Sequence, residues 1–128
     1  MTDIKVIDTS ALAALVFAEP SGDAVAARLR CGRLVAPTLL AYEMTSVCLA
    51  KIRANPAQRS LLLDAFAAWT EIGLDLVEVD HQRALPAAEQ FALSSYDVSF
   101  LWLAHRLGAE LVTLDRRLAR AHALQREG

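Results

Sequence analysis

Three short apolar segments of the chain each end in an aspartate, and a pattern typical of a helix follows each one. These junctions are Ile7-Asp8, Val79-Asp80 and Leu114-Asp115. Alternation of strands and helices predicts a parallel sheet covered by helices on both faces. Because parallel strands run in one direction, all three aspartates are expected at the same edge of the sheet. In open α/β folds, that edge is where ligands bind.

The first junction allows two interpretations. Residues 4–7 are mostly apolar and β-branched, which favours a buried strand, and a helical pattern begins at Ser10. Asp8 is then either the N-cap of that helix, a position that favours Asp and Ser, or a carboxylate placed for chemistry. Asp80 lies in no distinctive context and is interpreted as a cap alone.

The remaining segments extend the same alternation. Further strands are predicted at residues 34–36, 74–79 and 110–114, and helices at 10–17, 23–30, 38–53, 57–72, 81–92, 96–107 and from Asp115 onward. No segment after Ala123 is a good candidate for another strand. The sheet is therefore interpreted as four-stranded, and the existence of a final edge strand stays open.

The composition indicates one ordinary globular domain that spans residues 1–128. The chain is 55% hydrophobic and 22% charged, which suits a sizeable core. Its formal net charge is -2, so it lacks the overall basic field of many nucleic-acid binders. A nucleic-acid partner would need local cationic patches or bridging metal ions.

The chain carries the features expected of a soluble, cytoplasmic protein. Cys31 and Cys48 lie far apart, outside any CxxC spacing, and are predicted to be small buried hydrophobic residues, as in a reducing compartment. No apolar run reaches the roughly 18–20 residues of a membrane span. The first residues lack the basic region of a signal peptide, so we expect no membrane association.

Two acidic residues, Glu43 and Asp97, occupy positions where their helices are predicted to be apolar. Their neighbours at helical spacing are Leu39, Val47 and Ala50 for Glu43, and Leu93, Phe100, Leu101 and Ala104 for Asp97. A carboxylate on a core-facing stripe destabilises the fold unless a cation or hydrogen bonds compensate it. No Lys or Arg occupies a neighbouring position. A divalent cation would compensate both, and oxygen ligands select Mg²⁺ or Mn²⁺ over Zn²⁺.

Structural roles remain open for some of the acids. Asp97 follows Ser94 by three residues, so it fits the acidic half of a capping box or a first-turn acid favoured by the helix dipole. Asp115 fits an N-cap of the last helix. Glu43 lies in mid-helix, where neither role applies.

Four short motifs in this order resemble the PIN-domain ribonucleases, most closely the VapC-type toxins of toxin–antitoxin pairs. The motifs are Val6-Ile7-Asp8-Thr9-Ser10-Ala11-Leu12, Leu40-Ala41-Tyr42-Glu43, Ser95-Tyr96-Asp97-Val98-Ser99-Phe100 and Leu111-Val112-Thr113-Leu114-Asp115-Arg116-Arg117-Leu118. Each motif is weak alone, but the four at family-like intervals span nearly the whole chain.

The resemblance implies a three-layer α/β/α sandwich with a short central parallel sheet and a Mg²⁺ or Mn²⁺ site. Asp8, Glu43 and Asp97 match the three main acids of the family, and Asp115 matches the fourth. Thr9 or Ser10, together with Thr113, match hydroxyls that support the acids. The chain departs from the family pattern at its end, where the usual final edge strand has no candidate.

The expected function is metal-dependent hydrolysis of RNA phosphodiester bonds by an endoribonuclease. Local cations near the acids are candidates for binding phosphates: Arg116, Arg117 and Arg120, with Lys51 and Arg53 at the end of the helix that carries Glu43. Alternatively these residues form a solvated face or pair with helix C-termini. His105 and His122 have no partner pattern and are assigned no catalytic role.

A catalytically silent PIN-like binding or regulatory module is the alternative function. A phospho-accepting receiver domain usually has paired acids after the first strand and a Lys after the last, whereas this chain has Thr9 and Ser10, then arginines. A phosphatase of the haloacid dehalogenase type would need an Asp at position 10. An inactive PIN-like scaffold would be expected to lack one of the four acids, and none is missing.

Partners follow from the resemblance. VapC-type toxins are typically homodimers that a small antitoxin inhibits by laying a segment across the acidic groove. The apolar stretches Leu15-Val16-Phe17 and residues 61–69 are candidates for such contacts, although Leu61 and Phe66 are predicted to belong to the core.

Overall fold

The computed structural model describes residues 3–30 and 32–127. Its strands are β1 (Ile4–Ile7), β2 (Arg33–Pro37), β3 (Asp75–Val77) and β4 (Glu110–Val112). Its α-helices are α1 (Thr9–Val16), α2 (Gly22–Arg28), α3 (Leu39–Ala54), α4 (Arg59–Trp69), α5 (His81–Phe91), α6 (Ser95–Leu107) and α7 (Arg116–Glu127). None of these described helices combines the length and apolar character needed to cross a membrane.

The strands of the described chain form one parallel sheet in the order β3-β2-β1-β4. Val6 in β1 pairs with Val35 in β2 on one side and with Leu111 in β4 on the other. Helices α1 to α4 pack with one another, whereas α6 packs with α5 and α7 and lies against β1, β2 and β4. The chain is therefore a three-layer α/β/α sandwich, and the predicted fold class is confirmed.

The order of the strands places a crevice beside β1. The chain steps from β1 through β2 to β3, then returns to add β4 on the other side of β1. Such a reversal leaves a ligand-binding crevice at the carboxyl ends of the strands on either side of it. Asp8 directly follows β1 and Thr113 directly follows β4, so both lie at this crevice.

Some predicted elements end earlier than expected. Strand β4 stops at Val112 because the next residues turn away to form side-chain contacts: the hydroxyl of Thr113 donates to Asp8, and the N–H of Leu114 donates to Ser10. The helix predicted at residues 57–72 is divided into a 3₁₀ turn, Pro56–Gln58, and α4. Proline fits the first position of such a turn because an N–H at that position would have no partner within the turn.

The core lies between the sheet and its helices. Its fully buried side chains include Val6, Ile7, Leu12, Leu40, Met44 and Leu101. Cys48 is buried as predicted, whereas Cys31 lies outside the described residues. The prediction for Leu61 was wrong, because its side chain is 67% exposed while the next residue, Leu62, points inward. Phe66 is half-buried and packs edge-on against the buried Trp69.

Side chains cover the outer edge of β4. In a parallel ladder, the backbone groups of successive residues point alternately to the two sides of the strand. The carbonyl of Val112 accepts from the N–H of Asp8, so the backbone N–H and carbonyl of Leu111 point away from β1. Its N–H donates to Nε2 of the buried His122 at 3.1 Å, and its carbonyl accepts from Nη2 of Arg28 at 3.4 Å. Both outward groups therefore have partners without another strand, which agrees with the predicted four-stranded sheet.

We expect His122→Ala to lower the free energy of unfolding by about 1–3 kcal/mol, because it leaves the buried N–H of Leu111 without an acceptor.

Burial lowers the pKa of His122, with a further contribution from the charge of Arg126. The unfolded chain therefore takes up the proton first, and stability should decline as the pH falls from about 6.5 through the lowered folded pKa.

Urea unfolding at several pH values measures both effects of His122→Ala. His105→Ala is the matched control because His105 is an exposed residue of α6. An equal loss of stability in the two variants, or an unchanged acid-side decline in His122→Ala, would show that the contact to Leu111 is not responsible.

Candidate active site

Asp8 is the most buried of the four predicted acids, with 5% of its surface exposed. Its Oδ1 accepts hydrogen bonds from the hydroxyl of Ser10 at 2.7 Å and from the N–H of Ala11 at 3.0 Å. Its Oδ2 accepts from the hydroxyl of Thr113 at 2.5 Å. Asp8 is thus the N-cap of α1 and also a carboxylate held at the crevice, so its two interpretations are compatible.

Glu43 reaches the crevice from α3. Its Oε1 accepts from the hydroxyl of Thr9 at 2.7 Å, which ties the helix to the start of α1. The apolar stripe expected around Glu43 is only partly core-facing: Leu39 and Val47 are half-buried and pack against the core, whereas Ala50 is exposed. Leu39 and Val47 also line an open groove with Glu43. The inward positions of α3 are Leu40, Met44 and Cys48, because each helical residue turns the side chain by about 100°.

Asp97 lies in the first turn of α6. The N-cap residue Ser94 accepts a hydrogen bond from the N–H of Asp97 at 3.0 Å, as the sequence suggested. The carboxylate itself is half-buried, and the predicted apolar residues of the following turns, Phe100, Leu101 and Ala104, are buried. Val98, the next residue, is also buried, so Asp97 lies at the boundary of the core-facing surface of α6.

Asp115 is the N-terminal cap of α7. Its Oδ1 accepts from the N–H groups of Arg117 at 2.9 Å and Leu118 at 3.2 Å. Its own N–H donates to the hydroxyl of Thr113 at 3.0 Å, and that hydroxyl donates to Asp8. The capping role is therefore real, and Thr113 links Asp115 to Asp8 directly.

Two of the four acids, Asp8 and Glu43, have raised pKa values. Burial raises the pKa of Asp8 against three hydrogen bonds that lower it, and the charge of Asp115 raises it further. Burial also raises the pKa of Glu43, against the hydrogen bond from Thr9, and the charges of Asp97 and Asp8 add to the increase. Among the described residues, no ion pair includes any of the four acids.

This donor set fits a hard divalent cation in charge and ligand type. Carboxylate oxygens suit Mg²⁺ or Mn²⁺, and a cation would offset both the burial and the repulsion that raise the two pKa values. In residues 3–30 and 32–127, no three His, Cys, Asp or Glu side chains converge as the full ligand set of one ion. Mg²⁺ usually takes only one or two carboxylates and keeps several waters, so a partly hydrated ion fits this arrangement.

Comparison with known proteins identifies the family. The sequence profile described as the PIN domain matches residues 5–124. The chain belongs to the PIN-domain family. PIN domains are in general nucleases, and they typically use divalent metal ions.

A solved structure supports the fold of this PIN domain. The crystal structure of PAE2754 from Pyrobaculum aerophilum superposes with a TM-score of 0.76 over 99% of this chain and 96% of that one. The two sequences are 21% identical, so the likeness concerns the fold alone. The search of curated proteins found no significant match.

The hydroxyls predicted to support the acids of the PIN domain do so on two different carboxylates. Thr9 bonds to Glu43, whereas Ser10 and Thr113 bond to Asp8. Ser10 also accepts from the N–H of Leu114 at 3.0 Å, which joins the segments after β1 and β4. The sequence left Thr9 and Ser10 as alternatives, and the structure gives each a separate contact.

The arginines predicted to bind RNA are exposed on α7. Arg117 and Arg120 line a shallow cavity of about 370 Å³ beside the end of α5, and Arg117 donates to the carbonyl of Ala92 at 3.0 Å. Arg117 therefore also fills the alternative role, since it satisfies a carbonyl at the C-terminus of α5. Arg116 directly follows Asp115. Their role in RNA binding stays a prediction.

Of the two cations at the end of α3, Lys51 has partners away from the acids. Its Nζ lies 3.8 Å from Glu19 and 5.3 Å from the centre of the Phe17 ring. These contacts tie α3 to the segment after α1.

Asp80, interpreted as a cap, accepts a hydrogen bond from the N–H of Arg83 and caps α5, so that prediction is confirmed.

Two residues given no role by the sequence analysis are prominent in the structure. Tyr42 and Tyr96 are 76% and 58% exposed, and both line the groove of about 460 Å³ that contains Glu43. Each directly precedes a predicted acid, Glu43 or Asp97. An aromatic residue beside an acid in two separate motifs was the signal that could have indicated them.

Proposed function

We propose that this PIN domain is a metal-dependent endoribonuclease. The observation that carries the proposal is the group of acids at the crevice, where burial and neighbouring acids raise the pKa values of Asp8 and Glu43 and no described ion pair compensates them. Perturbed acids in a cleft are typical of catalytic sites. The family supports nuclease activity, and the metal and the RNA substrate are our proposal.

The chemistry assigns separate tasks to the residues of the site. A bound Mg²⁺ or Mn²⁺ would lower the pKa of water and neutralise charge on the phosphate. Asp8 is held by three hydrogen bonds and would be the most rigid ligand. Glu43 is half-buried beside the groove, so its carboxylate can accept a proton from the attacking water.

We further propose that the protein is the toxin of a type II toxin–antitoxin pair and acts in the cytoplasm. The order and spacing of the four motifs support this assignment, since they resemble those of VapC-type toxins. A homodimer and a small antitoxin are the partners proposed with it. Exposed apolar side chains such as Leu61 are candidates for these contacts. Arg116, Arg117 and Arg120 are proposed to bind phosphates of the RNA.

The test is a cleavage assay with structured RNAs, single-stranded RNAs and a matched DNA. We expect cleavage of RNA with Mg²⁺ or Mn²⁺, and none with EDTA, by protein freed of any copurified inhibitor. Asp97→Asn should abolish the activity, while Asp64→Asn, at an exposed acid of α4, should leave it unchanged.

Two results would contradict the proposal. Cleavage that persists in EDTA, or in Asp97→Asn, would place the activity elsewhere. Binding of Mg²⁺ by folded protein without cleavage of any substrate would favour the silent binding or regulatory module. A preference for DNA would keep the nuclease and reject the ribonuclease.

A further inference from the structure

Two exposed tyrosines flank the acids of the crevice. Tyr42 precedes Glu43 in α3, and Tyr96 precedes Asp97 in α6, so the two rings come from helices in different layers of the sandwich. Their side chains are 76% and 58% exposed, so both rings are accessible to a ligand. Neither ring packs against another aromatic ring in the described part of the chain.

The two rings separate two neighbouring cavities. The first, of about 460 Å³, is lined by Thr9 and Glu43 and also by Leu39, Tyr42 and Tyr96. The second, of about 240 Å³, is bounded by the same three residues. It lies beyond the ends of β2 and β3, and its remaining lining includes Thr38, His81 and Ser95. A ligand at the acids would therefore extend past the tyrosines into this second cavity.

The lining of the second cavity suits a nucleobase better than a phosphate. No Lys or Arg lines it, so it offers no fixed positive charge for a second phosphate. Hydroxyls and an imidazole can bond to the polar edge of a base, and tyrosine rings can stack on its face. Its volume is below the roughly 300–1,000 Å³ of sites for drug-sized ligands, so it suits a group as small as one base.

We propose that Tyr42 and Tyr96 form a stacking site for one unpaired nucleobase next to the phosphate that the acids engage. This inference rests on the proposed nuclease function and adds to it a site that holds one base beside the cleaved phosphate. A paired base in an A-form helix is stacked between its neighbours and cannot reach the rings.

The test measures binding in EDTA, so it does not depend on cleavage. The probe is a short single-stranded RNA that carries one fluorescent 2-aminopurine, whose emission falls when the base stacks. Wild type, Tyr42→Phe and Tyr96→Phe should bind and quench the probe alike, because phenylalanine keeps the ring. Tyr42→Ala and Tyr96→Ala should each weaken binding about tenfold and reduce the quenching.

Two controls separate stacking from general effects. Leu107→Ala, at the opposite end of α6 from Tyr96, removes an exposed apolar side chain and should change nothing. A fully paired RNA of the same sequence should bind equally to the alanine variants and the wild type. Thermal melting checks that each variant is folded.

Several results would overturn the stacking site. The first is that the wild type does not bind the single strand, and the second is that both alanine variants bind it as tightly as the wild type. The third is a loss of affinity that extends to the phenylalanine variants. RNA cleavage that is indifferent to both tyrosines would overturn it while keeping the nuclease. Tyrosine-dependent quenching in a protein that cuts no RNA would support the site and reject the nuclease. Binding of apolar peptides alone would assign the rings to a protein partner.

Discussion

Replacing Asp8 by asparagine is expected to lower RNA cleavage by more than about 100-fold while leaving the protein folded. Mutation of residues that only support a metal ligand typically costs 10–100-fold, so loss of the central ligand charge should cost more. Asparagine keeps an oxygen for the bonds from Ser10 and from the N–H of Ala11. It is also as good an N-cap as aspartate, so α1 should persist.

The same substitution should stabilise the metal-free protein at neutral pH. Burial raises the pKa of Asp8 above its ordinary value of 3.8, so the folded state binds its proton more tightly than the unfolded chain. Ionisation of the buried carboxylate therefore destabilises the fold, and stability falls progressively as the pH rises from 3.8 through the folded pKa. Asp8→Asn removes this cost, and the gain should shrink as the pH is lowered toward 4.

Single-turnover cleavage with Mg²⁺ measures the activity of Asp8→Asn, and thermal melting in EDTA measures its stability without metal. The control is Asp64→Asn, because Asp64 is exposed on α4 and should affect neither quantity. Unchanged cleavage would remove Asp8 from the active site. A loss of stability at neutral pH would show that its hydrogen bonds outweigh its burial.

Thr113→Val is expected to reduce cleavage about 10–100-fold, mainly by weakening the binding of Mg²⁺. The hydroxyl donates to Asp8 at 2.5 Å and accepts from the N–H of Asp115 at 3.0 Å, so it positions two of the acids. Valine has nearly the same shape but removes both contacts in a buried place. Thr113→Ser keeps the hydroxyl and should retain most of the activity.

Cleavage rates measured against Mg²⁺ concentration distinguish a positioning role from a structural one. We expect the Thr113→Val protein to need more Mg²⁺ for half-maximal rate and to recover part of the loss at saturation. If the serine and valine variants were impaired equally, the methyl group rather than the hydroxyl would be important. If neither were impaired, the link between Asp8 and Asp115 would have no role in catalysis.

Local patterns were sufficient to predict the architecture. Alternating apolar strands and helical segments imply a parallel sheet with two helical layers, and the caps at Asp8, Asp80 and Ser94 lie where the sequence places them. Capping depends on a few adjacent residues, so it can be predicted without the fold. The end of β4 could not be predicted this way, because contacts with Ser10 and Asp8, about a hundred residues away, draw the chain off the ladder.

The stripe assigned to Glu43 shows where local periodicity fails. A helix has several rows of residues three and four apart, and two rows of α3 are rich in apolar side chains. Only packing against the sheet decides which row is buried, and it buries Leu40, Met44 and Cys48. Glu43 was therefore a sound candidate for a partly incorrect reason, since it lines a groove rather than the core.

The sequence by itself determined the class of fold and named the four candidate acids, because these follow from periodicity and from the order of the motifs. The tertiary structure alone decided which groups meet. It joins Asp8 to Asp115 through Thr113, covers the outer edge of β4 with Arg28 and His122, and exposes Tyr42 and Tyr96 beside the acids. Such contacts depend on which face each helix turns toward the sheet and on the order of the strands in the sheet, and no local pattern encodes either.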